Sequence, residues 1–178
     1  MDSLVDAIRL GNAICVTDGS YKNDMGTAAF AIYPALHPDA EVFTSVNHTP
    51  GFPSDLNAYR AELGGLYGSI ATGNLLAASY HLPSGSITLD CDCLSTIHNI
   101  LKPTDPPPKT ASYDLLMGIR QLFRDTTQTW HFRHVAGHQD AHQAYASLDR
   151  WEQINVISPN WTAISWSKLQ SNNISELH

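Results

Sequence analysis

Short apolar runs rich in β-branched residues open the chain and predict three strands in succession. Each run is closed by a cluster of Gly, Pro, Asn, Asp or Ser, the residues that form turns. Because the links between the runs are short, we expect an antiparallel meander. The predicted strands cover residues 13–18, 26–33 and 41–47, with a turn at 22–24.

After this region the apolar residues recur every three to four positions, which is typical of an amphipathic helix. The first such helix is predicted over residues 56–76, and Ser54 or Asp55 can cap its N-terminus. The remaining pattern predicts a strand over 86–90, helices over 93–101 and 111–124, a strand over 130–135, and further helix with a break near 158–159.

This order of elements predicts an α/β fold with a mixed five-stranded sheet flanked by helices. The first three strands form the antiparallel part, and strands reached through helices are added in parallel. The Pro-rich segment 102–109 is a stiff connector inside the domain. We expect residues 1–178 to form a single domain with its core at about 13–170 and a flexible tail at 171–178.

Composition adds a few constraints on the class of protein. No stretch of the sequence reaches the length of a transmembrane helix. Residues 1–11 lack the basic and apolar regions of a secretion signal, so we expect an intracellular protein, nuclear or cytoplasmic, with reduced cysteines. We also expect a monomer. The net charge of −7 argues against nonspecific nucleic-acid binding, although acidic residues of a metal site would contribute to that charge.

Three carboxylates occur where the predicted elements can bring them together. Asp18 ends the first strand, where a buried carboxylate is costly unless it is paired or binds a cation. Glu62 lies at the edge of the apolar stripe of the long helix, and Asp92 follows the fourth strand. If the first and fourth strands are neighbours, Asp18 and Asp92 emerge at the same end of the sheet, and the helix can place Glu62 across them.

A cluster of this kind favours metal ions. Carboxylates within about 4 Å repel each other by roughly 1–4 kcal/mol per pair, and a hard cation removes that cost. Oxygen ligands select Mg²⁺ or Mn²⁺ over zinc. Two such ions about 3.5–4 Å apart can activate water and stabilise the leaving oxygen in phosphoryl transfer. Asp90, two residues before Asp92 on the same strand, is a rival ligand.

Four motifs then occur in the order seen in type 1 ribonuclease H domains: VTDGS (16–20), YRAEL (59–63), CDCLS (91–95) and HVAGHQD (134–140). The chain resembles this family over roughly residues 13–157. It most resembles the version found with reverse transcriptases of retrotransposons, to which the run LDRWEQINV (148–156) is similar. The resemblance implies an RNase H-like fold and hydrolysis of the RNA strand of RNA–DNA hybrids.

The same resemblance implies roles for individual residues. Asp18, Glu62 and Asp92 would hold two Mg²⁺ or Mn²⁺ ions, with Asp18 bridging them. Asp92 is preferred to Asp90 because it immediately precedes the short helix, as in the family. His138 matches a histidine on the loop after the last strand, and imidazole suits proton transfer near neutral pH. Near the site, candidates for the contacts that distinguish RNA from DNA are Ser20, Asn23, Asn57 and Arg60.

The family's fourth carboxylate is missing from this chain. Its place falls at Pro159, beside Asn160, although Ser158 and Pro159 can still begin a helix. Asn160 could ligate weakly as a neutral oxygen, or Asp149 or Asp140 could supply the charge from the preceding loop. The third alternative is a catalytically impaired or inactive nucleic-acid-binding remnant of a retrotransposon.

Two further nuclease classes fit the sequence less well. A proofreading-type exonuclease resembles Asp-x-Glu on the first strand, where this chain has Asp18-Gly19-Ser20. An integrase-type nuclease would use Glu152 as a late helical ligand and would leave Glu62 unexplained. The expected partners are an RNA–DNA hybrid and a reverse transcriptase domain. No strongly basic helix is present in the sequence, so we expect weak hybrid binding by the domain alone.

Overall fold

The computed structural model describes residues 2–37, 40–136, 147–148 and 153. Four helices and five strands lie in these ranges, together with a short 3-10 helix at Pro53–Asp55. In chain order they are α1 (Asp2–Leu10), β1 (Ala13–Lys22), β2 (Met25–Pro34), β3 (Phe43–His48), α2 (Ala58–Ser79), β4 (Gly85–Cys91), α3 (Leu94–Leu101), α4 (Tyr113–Arg124) and β5 (Gln128–His134).

The five strands form one mixed sheet in the order β3-β2-β1-β4-β5. The pairs β1–β2 and β2–β3 are antiparallel, whereas β1–β4 and β4–β5 are parallel. The predicted mixed sheet, with its antiparallel meander and two parallel strands, is therefore confirmed. Strand β1 lies at the centre of the sheet with a strand of each kind beside it.

Strands β1 and β2 are longer than predicted because their hairpin ladder continues beyond the apolar run. Ser20 pairs with Thr27 and Lys22 with Met25, so backbone pairing extends the strands where the side chains become polar. The turn residues, Asn23 and Asp24, both have positive φ angles of 51° and 59°. Two left-handed residues give a hairpin turn whose twist matches the strands, and Asn and Asp tolerate that conformation better than most residues.

Helix α1 is an element that the sequence analysis did not predict. Leu4, Ala7 and Ile8, spaced three and four residues apart, are at most 2% exposed and belong to the main core cluster. That spacing is the signal that could have revealed the helix. The helix contributes a further apolar stripe to the core that β1, β2 and β4 share.

Helix α2 supplies the centre of the core. Leu63, Leu66 and Ile70 are fully buried in the main apolar cluster with residues of β1 and β4. The residue that caps this helix is Asn57, whose Oδ1 accepts the N–H of Arg60 at 2.9 Å. The predicted caps Ser54 and Asp55 were wrong, because the short 3-10 helix includes both residues and ends before α2 begins.

A largely buried guanidinium joins α2 to α4. The Arg60 side chain is 5% exposed and donates to both carboxylate oxygens of Asp114, at 2.7 and 2.5 Å. Its Nε donates to the carbonyl of Pro50 at 2.6 Å.

None of the helices in the described part of the chain has the length and apolar character of a membrane-spanning segment.

Replacing Asp114 with alanine should destabilise the fold by about 1–3 kcal/mol, because the buried Arg60 guanidinium loses its charged partner. Urea unfolding measures this loss. The matched control is Asp6→Ala, which removes the exposed Asp6–Arg9 pair and should cost less than about 1 kcal/mol. Equal losses in the two variants would contradict the structural role of the Arg60–Asp114 pair.

Candidate active site

Parallel pairing of β1 and β4 places two of the predicted acids at the same end of the sheet. Val16 lies opposite Asp90 in this pair. Asp18 and Asp92 each follow this pair by two residues, Asp18 on β1 and Asp92 directly after β4, and both are partly exposed. The carboxyl ends of parallel strands form the edge at which α/β proteins place ligand sites.

Gly19 allows helix α2 to approach this edge closely. A Cβ atom at position 19 would lie 2.3 Å from the Glu62 nitrogen and 2.5 Å from the Ala61 carbonyl carbon. The Gly19 N–H also donates a hydrogen bond to the Glu62 carboxylate. A glycine in a strand signals such an approach, so its position directly after Asp18 was the available clue.

Glu62 is the most perturbed carboxyl group of the site. Its pKa is raised from 4.5 to about 9, chiefly by burial and then by the charges of Asp92 and Asp18, and the hydrogen bond from Gly19 opposes this rise. Its Oε2 atom is buried and has no hydrogen-bond partner in the described part of the chain. The structure therefore brings the predicted acids 18, 62 and 92 into one electrostatic cluster.

The donor set suits a hard divalent cation. Glu62, Asp92 and Cys91 each offer a ligand atom, and these three atoms lie within 4.8 Å of one another. Burial, with a contribution from the charge of Glu62, raises the pKa of the Cys91 thiol to about 12. The sulfur is therefore protonated at neutral pH, which leaves the carboxylate oxygens of Glu62 and Asp92 as the metal ligands of this group. An unpartnered buried carboxylate oxygen among acids is the arrangement that a bound Mg²⁺ or Mn²⁺ stabilises.

Asp90, the rival ligand, lies in a different environment. Its carboxylate is fully buried and accepts hydrogen bonds from Arg133 Nε and Nη2 at 2.7 and 2.6 Å. Burial raises the pKa of Asp90, while the hydrogen bond and charge of Arg133 lower it. Both carboxylate oxygens are thus engaged in an ion pair, which favours Asp92 as the ligand from this strand.

The residues predicted to contact substrate are dispersed. Ser20 is partly buried on β1, and Asn23 is exposed in the hairpin turn. Asn57 is exposed but uses Oδ1 to cap α2 and Nδ2 to donate to the Asp55 carbonyl at 3.1 Å. The Arg60 guanidinium is buried against Asp114 and Pro50, so its observed role is to join helices rather than to project towards a substrate.

Several predicted residues lie outside the described part of the chain: His138, Asp140, Asp149, Asn160, and the proposed helix start at Ser158 and Pro159. The predicted tail at 171–178 also lies outside it. Of the predicted ligands, the structure describes Asp18 on β1, Glu62 on α2 and Asp92 after β4. Glu62 and Asp92 belong to the group of close ligand atoms, whereas Asp18 is not part of that group and is linked to Glu62 through its charge.

Comparison with known proteins identifies the fold. No protein-family model matches the chain, and no curated protein matches its sequence. Solved structures do match, among them RNase H1 from the halophilic archaeon Halobacterium salinarum, at 13% identity and a TM-score of 0.50. That match covers 71% of this chain and 86% of the archaeal one.

Three further structures match with similar coverage. LC11-RNase H1, isolated from compost, has 11% identity and a TM-score of 0.55, covering 74% of this chain and 89% of its own. The N-terminal RNase H domain of a Mycobacterium tuberculosis protein has 11% identity and a TM-score of 0.51, covering 73% and 91%. LC11-RNase H1 has also been solved in complex with an RNA/DNA hybrid, and that structure matches with a TM-score of 0.51. The chain therefore has an RNase H-like fold.

Replacing Gly19 with alanine should destabilise the protein by about 1–3 kcal/mol, because the new methyl group meets the backbone of α2 and the helix must shift. Chemical denaturation measures the loss. Gly118→Ala in α4 is the control: its Cβ would approach only the Tyr67 ring, at 3.0 Å, and a helical alanine is intrinsically favourable. Similar effects at the two positions would argue against a specific close approach at Gly19.

Without metal, the wild type should lose stability relative to Glu62→Gln as the pH rises from about 5 towards 9. Because the pKa of Glu62 is raised, the folded state keeps a proton that the unfolded state releases. The stability that this proton contributes to the folded protein is lost as the pH rises through the pKa of Glu62 in the folded state. By pH 7 the difference should reach roughly 1–3 kcal/mol. Urea unfolding in the presence of a chelator measures it, and parallel pH profiles of the two proteins would contradict the burial of Glu62 among acids.

Proposed function

We propose that this protein is a metal-dependent endonuclease that hydrolyses the RNA strand of RNA–DNA hybrids with two Mg²⁺ or Mn²⁺ ions. The observation that carries the proposal is the cluster of Asp18, Glu62 and Asp92 at the carboxyl edge of β1 and β4 in an RNase H-like fold. The buried, unpartnered oxygen of Glu62 supports a cation at this edge.

In this mechanism Asp18 on the central strand, Glu62 and Asp92 would hold the ions. When bound, such ions would supply an activated water and stabilise the leaving oxygen. Glu62 must ionise to bind a metal ion. The hydrogen bond that it accepts from the Gly19 N–H orients the carboxylate and favours its charged form. We assign proton transfer to His138, by its position in the HVAGHQD motif.

Hybrid binding is proposed to depend on a few cationic groups and on a partner domain. Among the described residues Arg60 and Arg120 are buried, and Arg124 pairs with Asp105, whereas Lys22, Lys102 and Lys109 are exposed. Few exposed cations predict weak, salt-sensitive binding. We therefore propose that a reverse transcriptase domain of a retrotransposon supplies additional hybrid contacts, with Ser20 and Asn23 close to the RNA strand.

A second candidate is an impaired or inactive hybrid-binding remnant on the same fold. It is favoured by the sequence at the fourth ligand position, where Pro159 and Asn160 replace the expected acid. Loss of one carboxylate weakens the second ion more than the first. Asn160 or Asp149 would have to compensate in an active enzyme.

The proposed activity is tested with a labelled RNA–DNA hybrid in Mg²⁺ or Mn²⁺. We expect wild-type cleavage at least about 100-fold above that of Asp18→Asn, because loss of the bridging charge removes the metal-ion contribution to catalysis. Asp24→Asn, in the exposed hairpin turn, is the matched control and should cleave like the wild type.

The outcomes separate the two candidates. Wild-type cleavage no greater than the Asp18→Asn background, at every metal concentration, would reject the enzyme. Binding of the hybrid without cleavage would then favour the inactive remnant. Binding is measured by fluorescence anisotropy on the same hybrid.

A further inference from the structure

Strand β5 holds the main chain on which Asp92 lies. Asp92 directly follows the end of β4, and Cys93 after it makes no side-chain cap to helix α3. The Nε2 atom of His134, the last residue of β5, lies 3.1 Å from the Asp92 carbonyl oxygen. The Val135 N–H donates to the Cys91 carbonyl, also at 3.1 Å.

The direction of the His134 hydrogen bond follows from its acceptor. A carbonyl oxygen only accepts, so Nε2 must carry the hydrogen, as it does in one neutral tautomer and in the charged ring. The His134 side chain is exposed and is not part of the apolar core. Its contact with Asp92 is therefore a local one, which a substitution can remove without opening a cavity.

A neighbouring ion pair strengthens the hold of β5 on this segment. Arg133 lies opposite Asp90 in the β4–β5 pair and donates two hydrogen bonds to its carboxylate. Asp90 is thus contacted through its side chain by Arg133 of β5, and Asp92 through its carbonyl by His134 of β5. The carbonyl of Cys91 is contacted by Val135, the residue directly after β5. Three successive contacts fix the path of the chain where it leaves the sheet.

Such a hold is needed because Asp92 lies beside another acid. Glu62 is close enough to Asp92 for the two ligand atoms to share a cluster, and once Glu62 ionises, as it must to bind a cation, the two like charges repel each other. The backbone after β4 is the part that can yield, since it has left the strand ladder. A donor on β5 opposes that movement.

We propose that His134 is a positioning residue that fixes the main chain of Asp92 and thereby the geometry of the metal site. The inference rests on the proposed function in assigning Asp92 as a metal ligand. His134 itself touches neither the ions nor the substrate in this proposal; it acts through the carbonyl of Asp92. Groups that orient metal ligands commonly change metal affinity about 10- to 100-fold when they are removed.

The test compares three substitutions in the full chain. His134→Ala removes the donor, and His134→Gln keeps an N–H at a similar reach. His131→Ala is the matched control, because His131 is an exposed histidine on the same strand. Mn²⁺ affinity is measured by electron paramagnetic resonance, and amide exchange at Asp92 and Cys93 is followed by NMR without metal.

We expect His134→Ala to bind Mn²⁺ about tenfold more weakly and to exchange both amides faster. His134→Gln should recover most of the affinity, and His131→Ala should behave like the wild type. A merely structural role would lower the melting temperature of His134→Ala while leaving Mn²⁺ affinity unchanged, and that result would overturn the proposal.

The two readouts distinguish this proposal from the proposed function. A wild type that binds no Mn²⁺ would reject the metal site, while faster exchange in His134→Ala would still support the hold on Asp92. A wild type that binds Mn²⁺ but does not cleave hybrid would reject the activity alone. Unchanged exchange in His134→Ala would overturn the positioning role in every case.

Discussion

The site depends on holding the Glu62 carboxylate in a mostly buried position beside Asp92 and Asp18. Burial and the two neighbouring charges oppose its ionisation and raise its pKa to about 9. The arrangement persists because helix α2 is fixed elsewhere, by apolar contacts and by the Arg60–Asp114 pair. The free energy of packing thus offsets an electrostatic cost at one edge of the sheet.

Gly19 affects both the packing of helix α2 and the charge state of Glu62. Without a side chain there, the backbone of α2 comes close to β1, and the Gly19 N–H reaches the Glu62 carboxylate. The same approach places Glu62 next to the end of β4, where Asp92 follows. An acid that would face water on an ordinary surface helix is thereby drawn into the site.

Most of the architecture could be predicted from local patterns. The order of the strands and of the helices α2 to α4 follows from the periods of the apolar residues. That the acids 18, 62 and 92 form a metal site stays a prediction, made from their positions on those elements. The errors have local causes as well. Helix α1 has only nine residues, so few apolar positions carry its period. Asn57 caps α2 because a 3-10 helix includes the two preceding candidates.

The mixed sheet and the helices α2 to α4 could be predicted from the sequence, because they depend on periodicity and on the connection between neighbouring segments. Which charges are paired depends on the packing of distant segments. Asp90 meets Arg133 across 43 residues, and Arg60 meets Asp114 across 54. Partners so distant in sequence leave no periodic signal, since they are brought together by strand register and helix packing. The same long-range packing buries Glu62 and raises its pKa, a property that its place on a helical wheel does not reveal.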